Sequence, residues 1–449
     1  MRADPAGPGP GGPTIAIVGA GFTGLSAAYE LAQRGWRPVV VEQEDEIGGL
    51  AACFPVAGIR LERFYHHWFT SDREILRLTQ ELGLRDLVTE RATSTGMYFA
   101  NRHYRLARPL DLLRFRPLGR LDRLRLALLV LRARRVRDWR ALDGITAFDW
   151  LQRLGGRRVF EVVWEPLLRG KFGRHADRIS AAWFWSKLVV RGGSRGRGGE
   201  ERLCYLEGGF ARLTDAMAEA IRAKRGEVRT GCRATGVLLR EGRCRGVTLH
   251  DGSIEAEAVI FTGAPRQAAA LLGAQAPPHY ASQIGAIDYL ANVCLVLELD
   301  RSLSDLYWTN VNDPGFPFVG VIEHTNFDSD PAGRRHLVYL SRYLPADDPA
   351  RADDDRTVLE KALPHLAHMF PQFRREWIRS HHVWRARWAQ PLVEVGYAGR
   401  IPSPRSPLPG FYLASMAQVY PQDRGTNYAV RDGRCVADLV MRDVRAAAP

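Results

Sequence analysis

The strongest hydrophobic pattern lies in residues 14–50, TIAIVGAGFTGLSAAYELAQRGWRPVVVEQEDEIGGL. Residues 15–18 form a short apolar run bounded by glycine, which predicts a strand that is buried on both faces. An apolar stripe at helical spacing predicts a helix that ends near Gly35, and residues 39–41 predict a second strand. The stripe consists of Leu25, Ala28, Tyr29 and Leu31. This segment therefore predicts a strand–helix–strand unit.

Two later stretches of the chain differ in their periodicity. Residues 93–202 have mainly helical patterns, whereas residues 271–385 contain strand-like runs that begin at Ala291, Phe316 and His336. We therefore expect these two stretches to supply both helices and a mixed sheet.

One predicted helix carries many arginines. In residues 119–140, GRLDRLRLALLVLRARRVRDWR, leucines recur at helical spacing while arginines fill much of the remainder. The four leucines at that spacing are Leu121, Leu124, Leu128 and Leu131. We expect them to pack inward, with the arginines facing water or an anionic ligand. The alternative is a basic amphipathic helix on an anionic membrane, which the lack of aromatic anchors beyond Trp139 makes less favoured.

The turn between the first strand and the first helix carries glycines at GxGxxG spacing. Gly19 permits a tight turn, Gly21 lets the backbone approach a pyrophosphate, and Gly24 lets the helix pack close to the strand. The phosphates would lie at the helix N-terminus, where free N–H groups and the helix dipole favour anions. Glu42 ends the second strand, where an acid binds a ribose hydroxyl and disfavours a 2′-phosphate. The unit therefore predicts an FAD or NAD site.

Five residues separate Glu42 from a glycine pair, Gly48 and Gly49. With this pair the chain resembles the flavoprotein superfamily of amine oxidases, protoporphyrinogen oxidase, phytoene desaturase and UDP-galactopyranose mutase. Two more segments resemble the same superfamily: residues 205–265, with a Gly-Gly element, a helix and strands, and residues 410–440, a closing strand–turn–helix. The three segments occur in the family's order along the whole chain, so the resemblance favours FAD over NAD.

The resemblance implies an α/β protein in which a Rossmann-like FAD-binding domain carries a second α+β substrate domain of mixed sheet and helices. It implies that residues 14–92, 203–270 and 386–449 build the FAD domain, and that residues 93–202 and 271–385 build the substrate domain. The proline- and glycine-rich residues 1–13 are expected to form a disordered tail. The substrate should lie between the two domains.

The motifs and the resemblance together predict fourteen cofactor-binding residues. Thr426 and Asn427 should begin the last helix and direct backbone N–H groups at the flavin. The full set is Gly19, Gly21, Phe22, Thr23, Gly24, Glu42, Gln43, Gly48, Gly49, Leu50, Ala234, Ser415, Thr426 and Asn427.

Candidate catalytic residues come from segments that the resemblance places near the flavin. They are His67, in a loop similar to one in the mutases, Arg387 and Trp388 in the run WRARWAQP, and Tyr420. Candidate substrate-binding residues, chosen for charge or for polar and aromatic character, are His66, Arg169, Lys171, Trp308, Asn310 and His324. For each of these the alternative is an ordinary packed or surface residue.

The resemblance implies an FAD-dependent oxidoreductase that takes hydride from a substrate C–H bond to flavin N5, with reoxidation by oxygen or another acceptor. The alternative is a non-redox sugar mutase. Leu50 stands where amine oxidases carry arginine, and Ala414 to Met416 replace their Gly-Asp, so a plain amine oxidase is not expected. The substrate is expected to be a small organic molecule or a sugar- or lipid-linked one, and the candidates include anionic and sugar-linked compounds.

Composition limits the remaining function classes. The net charge of +13 comes almost wholly from arginine, and the chain lacks a recognisable nucleic-acid-binding module, so no nucleic-acid partner is expected. The six cysteines have no metal-ligand spacing, which favours free thiols, a reducing compartment and no metal site. There is no apolar run of membrane-spanning length. We therefore expect a cytoplasmic protein.

Overall fold

The computed structural model describes residues 12–108, 110–196, 198–328 and 335–447, so residues 1–11 of the predicted tail lie outside the described part. The strands are Thr14–Val18 (β1), Arg37–Val41 (β2), Cys53–Val56 (β3), Ile59–Glu62 (β4), Trp68–Phe69 (β5), Val88–Ala92 (β6), Thr95–Phe99 (β7), Arg102–Arg105 (β8), Arg202–Leu206 (β9), Glu227–Arg229 (β10), Ala234–Arg240 (β11), Arg243–Leu249 (β12), Gly252–Glu255 (β13), Ala258–Phe261 (β14), Tyr289–Leu299 (β15), Trp308–Val311 (β16), Gly320–Glu323 (β17), His336–Pro345 (β18), Ile378–Pro391 (β19) and Phe411–Leu413 (β20).

The α-helices are Phe22–Gln33 (α1), Arg73–Glu81 (α2), Asp111–Arg114 (α3), Arg120–Ala133 (α4), Arg140–Asp143 (α5), Ala147–Gly155 (α6), Arg157–Val159 (α7), Glu165–Phe172 (α8), Ala181–Gly193 (α9), Phe210–Ala223 (α10), Pro265–Leu272 (α11), Pro278–Gly285 (α12), Asp355–Met369 (α13) and Thr426–Ala446 (α14). A π-helical stretch, Phe160–Trp164, joins α7 to α8. Within the described residues, no helix combines the length and apolar character that crossing a membrane requires.

A parallel five-stranded sheet forms the first layer, in the order β10-β2-β1-β14-β20. Its central strands are apolar throughout because both faces are covered: Ile15, Ile17 and Val40 are fully buried. One face packs against α1, α10 and α14, and the other packs against β11–β13, α11 and α12. The predicted strand–helix–strand unit and the α/β class are both confirmed.

The helices α1 and α14 cross at very close range. A Cβ atom added to Gly433 of α14 would lie 2.4 Å from the Thr23 carbonyl oxygen of α1. Only glycine permits this approach, because the Cβ atoms of real residues essentially never come within 3.0 Å of another heavy atom. The last helix, α14, therefore packs directly against α1, the helix of the glycine motif.

A mixed seven-stranded sheet forms the second layer, in the order β19-β15-β18-β17-β16-β7-β8. The helix α13 covers one face of it, and Cys294, Val296 and Tyr339 on the other face join the core of the parallel sheet. The long strand β19 runs from the edge of this sheet to the parallel-sheet layer. The boundary predicted between residues 385 and 386 falls inside β19.

The helices α4–α9 form a third unit with its own core around Trp150, Phe172 and Trp183. Here the expectation for α4 was wrong. Leu126, Leu129 and Ala133 pack inward, whereas the four leucines of the predicted inward stripe are exposed. The reason is that α4 carries two apolar stripes, and helical periodicity does not say which of them packs.

Candidate active site

One large cavity, of about 720 Å³, lies between the turn from β1 to α1, the segment that leads into α14, and the strand β19. Its volume is within the range of small-molecule and cofactor sites. Twelve of the fourteen predicted cofactor-binding residues line it. They are Gly19, Gly21, Phe22, Thr23, Glu42, Gln43, Gly48, Gly49, Leu50, Ala234, Ser415 and Thr426.

The glycine motif forms the narrow part of this cavity. Gly19 has a φ of +106°, and a Cβ atom on Gly24 would lie 1.9 Å from the Gly19 carbonyl oxygen. Gly24 itself is not in the cavity wall, so its part is to let α1 start directly beneath the turn. On the facing side, a Cβ atom on Gly49 would lie 3.1 Å from the Gly21 Cα atom. The two glycine segments therefore leave bare backbone along the cavity.

The N-terminus of α1 is built to receive an anion. Its first turn contains no acidic residue, and Gly21 at its cap position supplies no side chain to bond the free N–H groups. A diphosphate beside Gly21 would satisfy those donors and would be stabilised by the helix dipole. This part of the cavity fits the pyrophosphate of a dinucleotide.

Glu42 is held in place by backbone donors at the end of β2. Its carboxylate accepts hydrogen bonds from the Ala20 N–H at 2.8 Å and the Glu44 N–H at 3.1 Å. A carboxylate has about four acceptor positions, so two remain for ribose hydroxyls in the cavity. The arrangement matches the predicted ribose contact.

The N-terminus of α14 also opens into the cavity without a side-chain cap or a first-turn acid. The Thr426 hydroxyl accepts a hydrogen bond from Trp68 Nε1 at 2.9 Å. Asn427 does not line the cavity, because its side-chain oxygen accepts from the Glu74 and Ile75 N–H groups at the start of α2. The free backbone donors of α14 suit an electron-rich ring edge such as that of a flavin.

Positive charge gathers beside this second helix N-terminus. Arg424, the residue before Gly425, lines the cavity and donates through Nε to the Ala389 carbonyl oxygen. Asp423 forms ion pairs with Lys187, at 2.6 Å, and with Lys171, at 3.7 Å. We call these four residues the lysine cluster. It holds three cations around one carboxylate.

Aromatic rings enclose the lysine cluster. The Lys171 ammonium lies 4.8 Å from the Trp183 ring and 5.3 Å from the Tyr343 ring, and Trp183 Nε1 donates to Asp423 at 3.2 Å. Burial and neighbouring positive charge lower the pKa of Lys171 and of Lys187 to about 8. The two ammonium groups and Arg424 hold the pKa of Asp423 far below its usual range despite burial. The cluster therefore has an excess of positive charge at neutral pH.

The two histidines of the predicted flavin loop differ in position. His66 lines the cavity and donates through Nδ1 to the Phe64 carbonyl oxygen at 2.6 Å. His67 is hydrogen-bonded to the Tyr307 hydroxyl at 3.0 Å and lies outside the cavity wall. Burial, the largest cause, lowers the pKa of His66 to about 4 and that of His67 to about 3. Both rings are therefore uncharged at neutral pH.

The strand β19 brings Arg387 and Trp388 into the cavity wall. The Arg387 guanidinium stacks on the Trp388 ring at 4.9 Å, and that ring packs against Tyr289 with ring centroids 5.6 Å apart. Tyr289 also lines the cavity. An aromatic wall with an arginine above it is suited to a planar ring system.

Besides His67 and Lys171, five candidate residues have their side chains outside the cavity wall: Tyr420, Arg169, Trp308, Asn310 and His324. The Tyr420 hydroxyl is bonded to Asp143 and to Ser180, Arg169 pairs with Glu165 at 2.7 Å, and Trp308 donates to Asn310 at 2.9 Å. His324 is buried against Tyr205 at 5.0 Å. Lys171 is also absent from the cavity wall, and its ammonium group pairs with Asp423, the neighbour of the cavity-lining Arg424.

Sequence reasoning missed Lys187, Tyr343 and Tyr289. Lys187 is one of only four lysines in an arginine-rich chain, which is a usable signal. Tyr343 and Tyr289 stand in ordinary strand patterns that carry no such signal. Among the described residues, no group of three His, Cys, Asp or Glu side chains could hold a metal ion.

Comparison with known sequences gives a family match over nearly the whole chain. The profile of the flavin containing amine oxidoreductases matches residues 22–441. A Mycobacterium tuberculosis protein, AofH, provisionally named a flavin-containing monoamine oxidase, is 27% identical over 59% of this chain and 60% of its own length. The chain thus spans less than two thirds of that relative. The 15-cis-phytoene desaturase of Solanum lycopersicum is 25% identical over 96% of this chain and 78% of its own length.

Solved structures agree in fold. The reduced form of UDP-galactopyranose mutase superposes with a TM-score of 0.75 over 96% of each chain, at 15% identity. An identity this low establishes a common fold and nothing about the reaction.

Proposed function

This chain belongs to the flavin containing amine oxidoreductases, and we propose that it is an FAD-dependent oxidoreductase whose substrate is a small organic anion. The observation that carries the proposal is the lysine cluster, in which three cations surround one carboxylate beside the start of α14.

The cavity assigns a role to each end of the cofactor. The α1 N-terminus would hold the pyrophosphate, Glu42 the adenosine ribose, and the α14 N-terminus the polar edge of the flavin ring. When bound, FAD supplies the two-electron oxidation, accepting hydride from a substrate C–H bond and passing the electrons to oxygen or another acceptor. The aromatic wall of Tyr289 and Trp388 would position the ring and exclude water from one side.

The lysine cluster favours an anionic group on the substrate. Each lysine has a pKa near 8 because burial and like charges penalise its protonated form, and a bound anion would relieve that penalty. An ammonium group at the same place would meet three cations, which disfavours an amine substrate. The neutral histidines His66 and His67 add no negative charge to offset this.

The proposal is tested on purified holoenzyme under anaerobic conditions. Mixing with a panel of matched hydroxy acids, phosphate esters and amines should bleach the flavin absorbance with an anionic compound. Lys171→Met/Lys187→Met should raise the concentration needed for half-maximal bleaching by at least about tenfold, since two charge-assisted contacts are lost. Lys224→Met, an exposed lysine at the end of α10, is the control. Bleaching by amines alone would overturn the proposal.

A non-redox sugar mutase is the remaining alternative within the same fold. It predicts that an anionic sugar nucleotide is converted only after prior reduction of the flavin with dithionite, and that the oxidised flavin is never bleached by substrate. The anaerobic experiment therefore separates the two reactions directly.

A further inference from the structure

The exposed hydrophobic side chains of this protein are concentrated in one place. All six large hydrophobic residues that are exposed in the described part of the chain lie on α3, on α4 or next to them. We call them the leucine face: Leu110, Leu113, Leu121, Leu124, Leu128 and Leu131. Leu110 and Leu121 are 71% and 72% exposed. Such concentration marks an interaction surface, because isolated exposed leucines would be scattered.

The leucine face is not a by-product of packing. At 100° per residue, Leu121, Leu124, Leu128 and Leu131 share one side of α4, roughly opposite to the buried Leu126, Leu129 and Ala133. The buried residues Leu126, Leu129 and Ala133 already pack α4 against the neighbouring helices. The outward stripe therefore has no role in the core, and polar residues there would fold equally well.

Arginines surround the leucine face. Residues 108–135 contain nine arginines and two aspartates, a net charge of +7. Arg120 and Arg132 are exposed and lie on the same half of α4 as the leucines. Leucines rimmed by arginines match a surface that is apolar below and anionic above, which describes the headgroup region of a membrane rich in acidic lipids.

A second copy of the chain fits this surface less well. A twofold contact would place the face against itself and bring the two +7 segments together, which is repulsive. The length of α4 also limits the geometry. Its 14 residues extend about 21 Å, short of the about 30 Å of a bilayer core, so α4 would lie along the surface.

We propose that the leucine face docks this protein on the surface of a membrane that contains anionic lipids. The leucines enter the headgroup boundary while the arginines bind lipid phosphates. The face is connected to the candidate active site, because α4 packs on α9, where Trp185 Nε1 donates to the Ala133 carbonyl oxygen at 2.7 Å, and α9 also carries Lys187. The docking is independent of the reaction proposed above.

Vesicle flotation of the holoenzyme tests the proposal. We expect the protein to float with vesicles of equal phosphatidylglycerol and phosphatidylcholine in 50 mM salt, and to remain below vesicles of phosphatidylcholine alone. High salt should weaken binding, since exposed charges are screened. Absence of flotation with the anionic vesicles, or equal flotation with both kinds, would overturn the proposal.

Two variants separate the contributions of leucine and arginine. Leu121→Gln/Leu124→Gln/Leu128→Gln keeps helix propensity and should weaken vesicle binding by at least about 100-fold, through lost apolar burial. Arg120→Gln/Arg132→Gln should weaken it by about 25-fold, from about fivefold for each arginine. The matched control, Arg73→Gln/Arg356→Gln, changes exposed arginines on α2 and α13 and should bind vesicles as the wild type does.

Two further measurements show whether a loss of vesicle binding comes from misfolding or from a change in self-association. The flavin spectrum and the thermal midpoint of each variant should match the wild type, because the changed side chains are exposed. In sedimentation without vesicles, the wild type and the leucine variant should show the same oligomeric state. Wild-type binding by the leucine variant, or a leucine-dependent dimer without vesicle binding, would contradict docking on a membrane.

Discussion

Each of the two ends of the cavity has a helix N-terminus, but the charges near the two N-termini are of opposite sign. At each end a helix begins at glycine, with no side-chain cap and no acid in its first turn: α1 after Gly21 and α14 after Gly425. At the first end the nearby charged group is the carboxylate of Glu42. At the second end the neighbours are Arg424 and the lysines around Asp423.

The difference separates what is common to dinucleotide sites from what is particular to this chain. At the first end, bare backbone and the Glu42 carboxylate are the groups suited to features that every adenine dinucleotide has. The second end has Arg424 in its wall, and behind Arg424 lie Asp423 and the lysines of α8 and α9. In the function proposed above, this positive charge would select among substrates, whereas the first end would select the cofactor.

Gly24→Ala should disrupt the turn at the first end of the cavity. We expect it to have the largest effect of the four changes on flavin binding and stability. The new Cβ atom would lie 1.9 Å from a backbone oxygen, so the turn or the helix must move. We expect purified protein without flavin colour and a loss of about 3 kcal/mol in the free energy of unfolding. Visible absorbance and urea unfolding measure both. The control is Gly285→Ala, whose Cβ atom would meet nothing within 4 Å. A normally coloured Gly24→Ala protein would contradict the account.

Asp423→Asn should break the second end while leaving the first intact. Three cations lose their one carboxylate, which should lower the free energy of unfolding by about 2 kcal/mol. Flavin content should be retained. The comparison variant is Asp305→Asn, whose carboxylate is 80% exposed and should contribute less than about 0.5 kcal/mol. Equal stability of the two variants would show that the lysine cluster is not coupled in this way.

Sulfate binding to the holoenzyme should fall as pH rises through about 8. Only the protonated lysines attract an anion, and the pKa of Lys171 and of Lys187 lies near 8. Between pH 7 and pH 9 a group of that pKa loses about nine tenths of its charge, so affinity should drop about tenfold. Calorimetric titration with sulfate, which stays doubly charged over this range, measures it. A flat profile in the wild type would refute the assignment, and the Lys171→Met/Lys187→Met protein should show one.

Glu42→Gln should have the smallest effect, at the first end. The amide keeps one oxygen that can accept from the Ala20 N–H but loses the second carboxylate oxygen, which accepts from the Glu44 N–H. We expect FAD to bind about fivefold more weakly in a fluorescence titration of the apoprotein, since one hydrogen bond contributes about 1 kcal/mol, and the free energy of unfolding should change little. The control is Asp45→Asn, a change at a nearby exposed residue that does not line the cavity. Loss of all flavin would mean that Glu42 supports the fold as well.

The first end could be predicted from sequence because its parts are adjacent in the chain. Glycine spacing and a doubly buried strand are local patterns, and residues 14–50 contain all of them. The second end could be predicted only in part: Lys171 and Thr426 are candidates from sequence alone. The lysine cluster itself could not be predicted, since Lys171 and Asp423 are 252 positions apart and meet only through the fold. Tyr420 and Asn427 illustrate the same limit: each stands in the right segment, but its side chain bonds to another element.

The helix α4 shows a different limit. Its leucine spacing correctly predicted a helix, yet the chosen stripe faces outward. Periodicity detects an apolar face, but only tertiary packing decides which of two such faces is covered.

The contact of Gly433 with the Thr23 carbonyl oxygen has a consequence for synthesis of the protein. The glycine motif leaves the ribosome first, whereas the helix that closes its cavity follows about 400 residues later, at Thr426–Ala446. At about 5–20 residues per second, the nascent chain carries an open motif for about 20–80 seconds. We therefore expect flavin to bind only after α14 has been made, and chains interrupted before that point should be released colourless.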